Sequence, residues 1–263
     1  MTKTYDLTTG SLAKHFMRLA IPAAIGMVFS TLYNVVDVFF AGMVGTDAQA
    51  GLAISFQAFF IFVTIGFGLS SAMTALVGNA IGAKKTTDAS IIAAQGIGFA
   101  IVTSVLLIVA ARFIGPHLLA IISTEGAYRA AGEAYFMILI LSLPGFIMGY
   151  GLNGILQAQG DTVSMQYALI GAFFANIGLN PLMMFGIPGI WGGLGFDGIA
   201  AATVISQTGV MVYIGVRLLR SGLLDAKTPN NILPNLALYH QILAQLLPTT
   251  FTMLVMFTAG FIV

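Results

Sequence analysis

The stretch "YNVVDVFFAG" (residues 33–42) places an aspartate, Asp37, in one of the most apolar parts of the chain. No Lys or Arg lies within fifteen residues of Asp37 on either side. The flanking sequence is apolar enough to span a membrane, where an ionised carboxylate costs about 3 kcal/mol or more. Asp37 should therefore face a cavity, a partner or a proton, unless it lies at the membrane surface near a helix end.

The composition is that of an integral membrane protein. Of its 263 residues, 58% are hydrophobic and 7% are charged, and the mean hydropathy is +0.97. Soluble domains carry about 25% charged residues. No alternation typical of a membrane β-barrel is present, so we predict an all-α integral membrane protein. A net charge of +1 gives no reason to expect nucleic-acid binding, and the absence of Cys excludes disulfides and thiolate metal sites.

Seven apolar runs are long enough to cross a bilayer, which takes about 20 residues. They cover residues 14–41, 49–81, 89–111, 131–157, 164–186, 198–220 and 238–263. Polar or Gly-rich segments separate these runs and are predicted to be loops. Residues 116–128 are predicted to hold a short interfacial helix.

The basic residues indicate the orientation of the chain. If the runs weave through the membrane, eight of the ten basic residues lie on one side: Lys3, Lys14, Arg18, Lys84, Lys85, Arg217, Arg220 and Lys227. The other side has Arg112 and Arg129. Because cytoplasmic loops are enriched in Lys and Arg, we predict a cytoplasmic N-terminus in a plasma membrane, as in a bacterial inner membrane protein.

An internal repeat predicts the domain organisation. The segment "HFMRLAIPAAIGMVF" (15–29) aligns with "QILAQLLPTTFTMLV" (241–255) at a shift of 226 residues, matching Pro22 with Pro248. Residues 1–220 would then form a six-helix lobe, 221–237 a cytoplasmic linker, and 238–263 the first helix of a second lobe. We therefore expect the chain to be part of a protein about twice as long.

A polar stripe accompanies Asp37. Ser30, Asn34 and Asp37 are spaced i, i+4, i+7, so they share one face of a helix. Counted from Arg18, Asp37 lies ~29 Å along the helix, in the outer half of the membrane. The stripe favours a functional site over an isolated interfacial aspartate.

The fifth apolar run carries a second polar group at the same depth. Asn176 and Asn180 are four residues apart, ~20 and ~26 Å from the cytoplasmic start of their run. Pro181 lacks an N–H and leaves a backbone carbonyl without its helical partner. Such oxygens suit a hard cation or a proton network. The simpler alternative is interhelical amide bonding beside a proline kink.

Several other polar residues are candidates for the functional site because of their depth in the membrane. Thr203, Gln207 and Gln57 fall in the outer half of their runs, whereas Asn153 lies near a cytoplasmic end. Taken singly, each is better explained by helix packing than by ligand binding. Pro22 stands where the first run enters the membrane and should permit a bend there.

Together these motifs resemble the multidrug and toxic compound extrusion (MATE) transporters. The resemblance rests on Pro22 and Asp37 in the first run, "LNGILQAQGDT" (152–162), the pattern NxxLNP (176–181) and "GIAAATVISQ" (198–207). It covers the whole chain, as one lobe plus the first helix of the next. It implies a twelve-helix fold when complete and a monomeric antiporter that exports cationic or amphipathic drugs in exchange for H⁺ or Na⁺.

The resemblance also implies roles for individual residues. Asp37 matches the carboxylate that binds the coupling ion, and Asn176, Asn180 and Thr203 complete its surroundings. Pro22 matches a proline associated with bending of the first helix, and Pro181 is expected to bend the fifth. The residues expected to line the substrate cavity are Ser30, Asn34, Gln57, Asn153 and Gln207.

The chain departs from the family pattern at three places. Asn180 stands where many members carry a second aspartate, and Gln157 stands where an arginine is common. No acid follows Pro248, where some members have one. Any ion coupling within these residues should therefore depend on Asp37.

Two alternatives stay open from the sequence. A flippase for lipid-linked precursors would have the same fold, although cationic residues expected inside such a lobe are not evident. A seven-helix receptor would match the number of runs but would place its N-terminus outside the cell. No nucleophile–base spacing or metal-ligand cluster is visible, so we expect no enzymatic activity, no cofactor and no metal other than possible Na⁺ at Asp37.

Overall fold

The computed structural model describes residues 12–224 and 232–259, which form helices without any strand. This confirms the all-α fold. The helices are α1 (Leu12–Val44), α2 (Thr46–Gly82), α3 (Thr86–Ile122), α4 (Ala127–Leu139), α5 (Leu143–Ala158), α6 (Ser164–Phe185), α7 (Asp197–Leu219) and α8 (Leu236–Ala259).

Within the described residues, six segments are long and apolar enough to cross a membrane. They are α1 to α3, the α4–α5 pair, α6 and α7. The seventh predicted run forms α8, which is not among these six, and the run continues to residue 263, beyond the described residues. The chain is thus a multi-pass membrane protein.

The observed helices differ from the predicted ones near two prolines, Pro116 and Pro144. The third run does not end at residue 111, because α3 continues through Pro116 to Ile122. Residues 116–122 therefore do not begin a separate interfacial helix, and that prediction is wrong. In the bilayer, a continued helix keeps its backbone groups bonded, which outweighs the bond lost at one proline. Pro144 instead follows a 3₁₀ turn (Ile140–Ser142) that divides α4 from α5.

α2 is the central helix and packs against α3, α4, α5 and α8. α1 packs mainly on α6, α6 on α7, and α7 on α5, which closes the bundle. Two glycines of α5 allow close approaches to neighbouring helices. A Cβ at Gly145 would lie 2.8 Å from the backbone carbonyl of Gln207 on α7, and one at Gly154 would collide with the backbone of Ser70 on α2.

Two apolar clusters fill the lobe and meet along α1. Tyr33 belongs to the first cluster, which joins α2, α3, α5 and α7. Ala41 belongs to the second, which includes the aromatic residues Phe59 and Phe136. Asp37 lies one helical turn from both on the same face of α1, so its carboxylate is placed at the boundary between the clusters.

The segment before α8 is held against α3. The buried Gln95 donates from Nε2 to the carbonyl of Leu233 (2.8 Å) and accepts from the amide of Asn235 at Oε1 (2.9 Å). Asn235 in turn caps α8, because its Oδ1 accepts from the backbone amides of Ala237 and Leu238. Residues 225–231 of the predicted linker lie outside the described residues, and the division into two lobes stays a prediction.

Candidate functional site

Asp37 lies in a hydrogen-bonded cluster at the centre of the lobe. Its side chain has no exposed surface. Asn180 donates from Nδ2 to Asp37 Oδ1 over 2.8 Å, and Thr203 donates from Oγ1 to Oδ2 over 3.3 Å. Asn180 also donates to Oδ1 of Asn176, over 3.0 Å. Both carboxylate oxygens therefore accept, as an ionised group requires.

The cluster is assembled by helix packing. Asn176 and Asn180 share a face of α6 through their i, i+4 spacing, and that helix packs on both α1 and α7. Thr203 lies about two turns into α7 and is fully buried. The structure thus brings together the four residues predicted for the coupling ion, which come from three helices.

Two tyrosines near Asp37 were not singled out from the sequence. Tyr33 is four residues before Asp37 on α1, and its hydroxyl lies near Thr203, Ser206 and Asn176. Tyr135 of α4 is fully buried and also near Asp37 and Thr203. Helical spacing within "YNVVDVFFAG" could have identified Tyr33, but no local pattern places Tyr135 there.

Several buried polar atoms around Asp37 lack a hydrogen-bond partner among the described residues. Such an atom normally costs about 1–3 kcal/mol, so the polar groups of this cluster are incompletely satisfied in the observed arrangement. The atoms are Tyr33 Oη, Tyr135 Oη, Asn176 Nδ2, Asn180 Oδ1 and Ser206 Oγ.

A cavity of about 130 Å³ opens beside the cluster, between α1, α2, α5, α6 and α7. Four of the predicted polar residues line it: Ser30, Asn34, Thr203 and Gln207. Its remaining walls are mostly aromatic, with five phenylalanines and two tyrosines. Drug-sized ligands occupy pockets of about 300–1,000 Å³, so these residues can enclose only part of such a ligand.

The other predicted residues lie apart from this cavity. Gln57 lines a separate cavity of about 200 Å³ with residues of α2, α3 and α8. Asn153 is buried in α5 and is not among the residues that line the cavity beside Asp37. Pro22 and Pro181 both lie inside continuous helices, α1 and α6.

A second polar cluster joins the loop after α5 to the end of α7. Arg217 donates from Nη2 to Asp161 Oδ2 and from Nε to Ser164 Oγ, each over 2.9 Å. Asp161 also accepts from the backbone amides of Val163 and Ser164, at the start of α6. Burial alone would raise the pKa of Asp161, but the hydrogen bonds from Ser164 and Arg217 outweigh it and hold that pKa below its ordinary value.

Known proteins with similar sequences are about twice as long as this chain. A probable multidrug resistance protein NorM from Thermotoga maritima is 26% identical over 206 residues, which are 77% of this chain and 44% of that protein. The probable multidrug resistance protein YoeA from Bacillus subtilis is 27% identical over 205 residues, or 75% and 43% of the two chains. The chain thus spans about half the length of the curated relatives it matches.

The fold agrees with solved transporter structures. A MOP superfamily transporter from Pyrococcus furiosus superposes with a TM-score of 0.83 at 24% identity, over 96% of this chain and 55% of that one. At this identity the likeness shows the fold alone. The MatE family model matches residues 22–182, which is more than half of the chain and includes Asp37, Asn176 and Asn180. The chain therefore belongs to the MatE family.

Proposed function

We propose that this chain supplies one half of a secondary transporter that exports cationic or amphipathic compounds by antiport with H⁺ or Na⁺. The observation that carries this proposal is the fully buried carboxylate of Asp37, hydrogen-bonded by Asn180 and Thr203 beside an aromatic cavity. The chain acts as a transporter rather than an enzyme, without a cofactor, and the complete protein works as a monomer.

The carboxylate couples ion binding to substrate binding through its charge. An ionised Asp37 attracts a cation, whereas a protonated or Na⁺-bound Asp37 does not. Release of a cationic drug therefore favours binding of H⁺ or Na⁺ at Asp37, and release of the ion favours binding of the drug. This is the exchange that an antiporter needs. In the described residues Asp37 is the only buried acid, so this exchange depends on one site.

The cavity lining favours cationic or amphipathic substrates over anionic ones. None of the residues that line it in the described part of the chain is Lys or Arg, whereas aromatic rings attract organic cations. A Shewanella oneidensis relative is named an FAD transporter; it is 24% identical over 233 residues, or 86% of this chain and 51% of that protein. Phosphate groups such as those of FAD, or of a lipid-linked precursor, would need basic partners that this cavity lacks.

The charge and the oxygen atoms available around Asp37 favour H⁺ over Na⁺ as the coupling ion. Among the described residues, Asp37 supplies the only charge at this site, because Asn180 occupies the position where many family members carry a second acid. A lone acid is sufficient for a proton, whereas Na⁺ requires several oxygens around it.

Transport by the intact protein in proteoliposomes tests this proposal. The substrate is a fluorescent organic cation, and the pH and Na⁺ gradients are imposed independently. We expect a pH gradient to drive efflux at zero Na⁺, and a Na⁺ gradient at constant pH to have little effect. Efflux driven by a Na⁺ gradient alone would show that the coupling ion is Na⁺ rather than H⁺. Efflux indifferent to both gradients, or carried out only for an anionic dye, would overturn the proposed function.

A further inference from the structure

The two asparagines of α6 are arranged for one charge state of Asp37. Asn180 directs both N–H bonds of its amide at acceptors, Asp37 Oδ1 and Asn176 Oδ1, at 2.8 and 3.0 Å. The opposite ends of these amides, Asn180 Oδ1 and Asn176 Nδ2, are buried and have no hydrogen-bond partner among the described residues. This pattern matches a carboxylate that only accepts hydrogen bonds.

Binding of a coupling ion at Asp37 Oδ1 would break this match. A protonated Oδ1 is a donor, and it would face the N–H of Asn180. A Na⁺ ion on the same oxygen would meet the positive end of that N–H dipole. In both cases the atom facing Asp37 must become an oxygen.

We infer that Asn176 and Asn180 form an invertible amide pair that follows the charge of Asp37. This inference rests on the proposed function, because it assumes that Asp37 binds the coupling ion. When a proton reaches Oδ1, the Asn180 amide turns over and its Oδ1 accepts from the acid. The Asn176 amide turns with it, and its Nδ2 then donates to Asn180 Oδ1.

The inversion conserves the hydrogen bonds of the cluster. Before it, Asn180 donates to Asp37 and Asn176, and Thr203 donates to Asp37 Oδ2. After it, Asp37 and Asn176 donate to Asn180, and the bond from Thr203 is unchanged. Each amide turns about its terminal sp³–sp² torsion, which is soft and roughly two-fold, so the atoms exchange places without displacing the helix.

The neighbouring helices offer few competing groups. Near Asp37, the titratable side chains among the described residues are Tyr33 of α1 and Tyr135 of α4. The other polar neighbours, from α6 and α7, are the amides already named and the hydroxyls of Thr203 and Ser206. Around Asp37 Oδ1, the asparagine pair is therefore the part of the site that can exchange donor for acceptor, whereas at Oδ2 the hydroxyl of Thr203 can donate or accept without moving its oxygen. Asn176 acts as a positioning residue, because it lies beside Asn180 and is also close to Asp37.

Side-chain NMR of the intact protein in lipid nanodiscs tests this inference. Asparagine labelled with ¹³Cγ and ¹⁵Nδ2 reports the amides, and aspartate labelled with ¹³Cγ reports Asp37, while pH is varied without Na⁺. Signals are assigned by their loss in Asn176→Ala, Asn180→Ala and Asp37→Asn. We expect both α6 amides to shift with the same midpoint as Asp37.

Matched controls separate a specific response from a general one. Asn153 is also buried but is absent from the groups near Asp37, so its signal should not follow the titration. In Asp37→Asn, which has no group that titrates at this position, the Asn176 and Asn180 signals should become independent of pH.

The outcomes also distinguish this inference from the proposed function. If Asp37 titrates while both amide signals stay constant, the proton resides on Oδ2 beside Thr203, and the amide pair does not invert. If the Asp37 signal is constant from pH 4 to 10 and Na⁺ has no effect on it, Asp37 does not bind the ion, and the proposed function itself fails.

Discussion

At the scale of single residues, two carboxylates of the lobe, those of Asp37 and Asp161, have opposite surroundings. Asp37 is enclosed by neutral donors within the bundle, so its charge has no basic partner in the described residues. Asp161 instead pairs with Arg217 and two backbone amides at the edge of the bundle. An unpaired buried charge suits a site that exchanges ions, whereas a paired one stabilises a fixed structure.

Replacing Asp161 with Asn should lower the stability of the folded protein by about 1–3 kcal/mol at pH 7, because Arg217 loses a charged acceptor. The pKa of Asp161 is below its ordinary value, which is about 3.9 in an unfolded chain. The stabilisation is therefore complete above that ordinary value and is lost as pH falls through the lower folded value. Thermal unfolding in detergent at several pH values measures the difference from wild type.

Asp88→Asn is the matched control for this prediction. Asp88 lies 3.9 Å from Lys85, and both side chains are more than half exposed, so this pair should contribute little. An Asp161→Asn variant that unfolds at the same temperature as Asp88→Asn would contradict a stabilising role for the Arg217 pair.

At the scale of helices, glycines set how closely the central helix approaches its neighbours. Thr74 of α2 donates to the carbonyls of Ser70 (2.8 Å) and Gly154 (3.1 Å), where α2 meets α5. A side chain at Gly154 would press against the backbone of Ser70, which cannot move aside as a flexible side chain can.

Gly154→Ala should therefore destabilise the lobe by about 1–3 kcal/mol through overpacking. Gly149→Ala, one and a half turns earlier on α5, is the control, because its Cβ would lie 3.7 Å from Val210, an ordinary contact. Alanine also favours a helix over glycine, so the control should be neutral or slightly stabilising. Thermal unfolding of both variants in the same detergent compares them; equal stability would show that the α2–α5 contact tolerates the methyl group.

The elements also show what local sequence can and cannot predict. Apolar run length predicted where six membrane segments lie, and i, i+4 spacing predicted that Asn176 and Asn180 share a face. The end of α3 is predicted too early, at residue 111, whereas the helix continues to Ile122, because a helix in lipid continues past the one bond missing at Pro116. Tyr135 could not be placed near Asp37, since that contact depends on how α4 packs on α2 and α7.

At the scale of the whole molecule, the eight-to-two distribution of basic residues predicts a cytoplasmic N-terminus. The loop between α1 and α2 should then face outward, and the loop between α2 and α3 should face the cytoplasm. The 263 residues contain no Cys, so single-cysteine variants can report each side.

Thr46→Cys should react with a membrane-impermeant maleimide in intact cells, whereas Lys85→Cys should react only after the cells are permeabilised. Both positions are exposed, and neither has the positive φ angle of its neighbour, Gly45 or Lys84. Labelling of Lys85→Cys from outside, with Thr46→Cys protected, would reverse the proposed orientation.

The dependence of transport on the charge of Asp37 is tested most directly by Asp37→Asn in the intact protein. Asparagine keeps the size of the side chain and removes the group that ionises, so ion-driven efflux of a cationic drug should fall to background while the thermal stability stays near wild type. Asp47→Asn, an exposed acid at the start of α2, should export at the wild-type rate. If folded Asp37→Asn still exports the drug against its gradient at the wild-type rate, Asp37 does not couple the ion to transport.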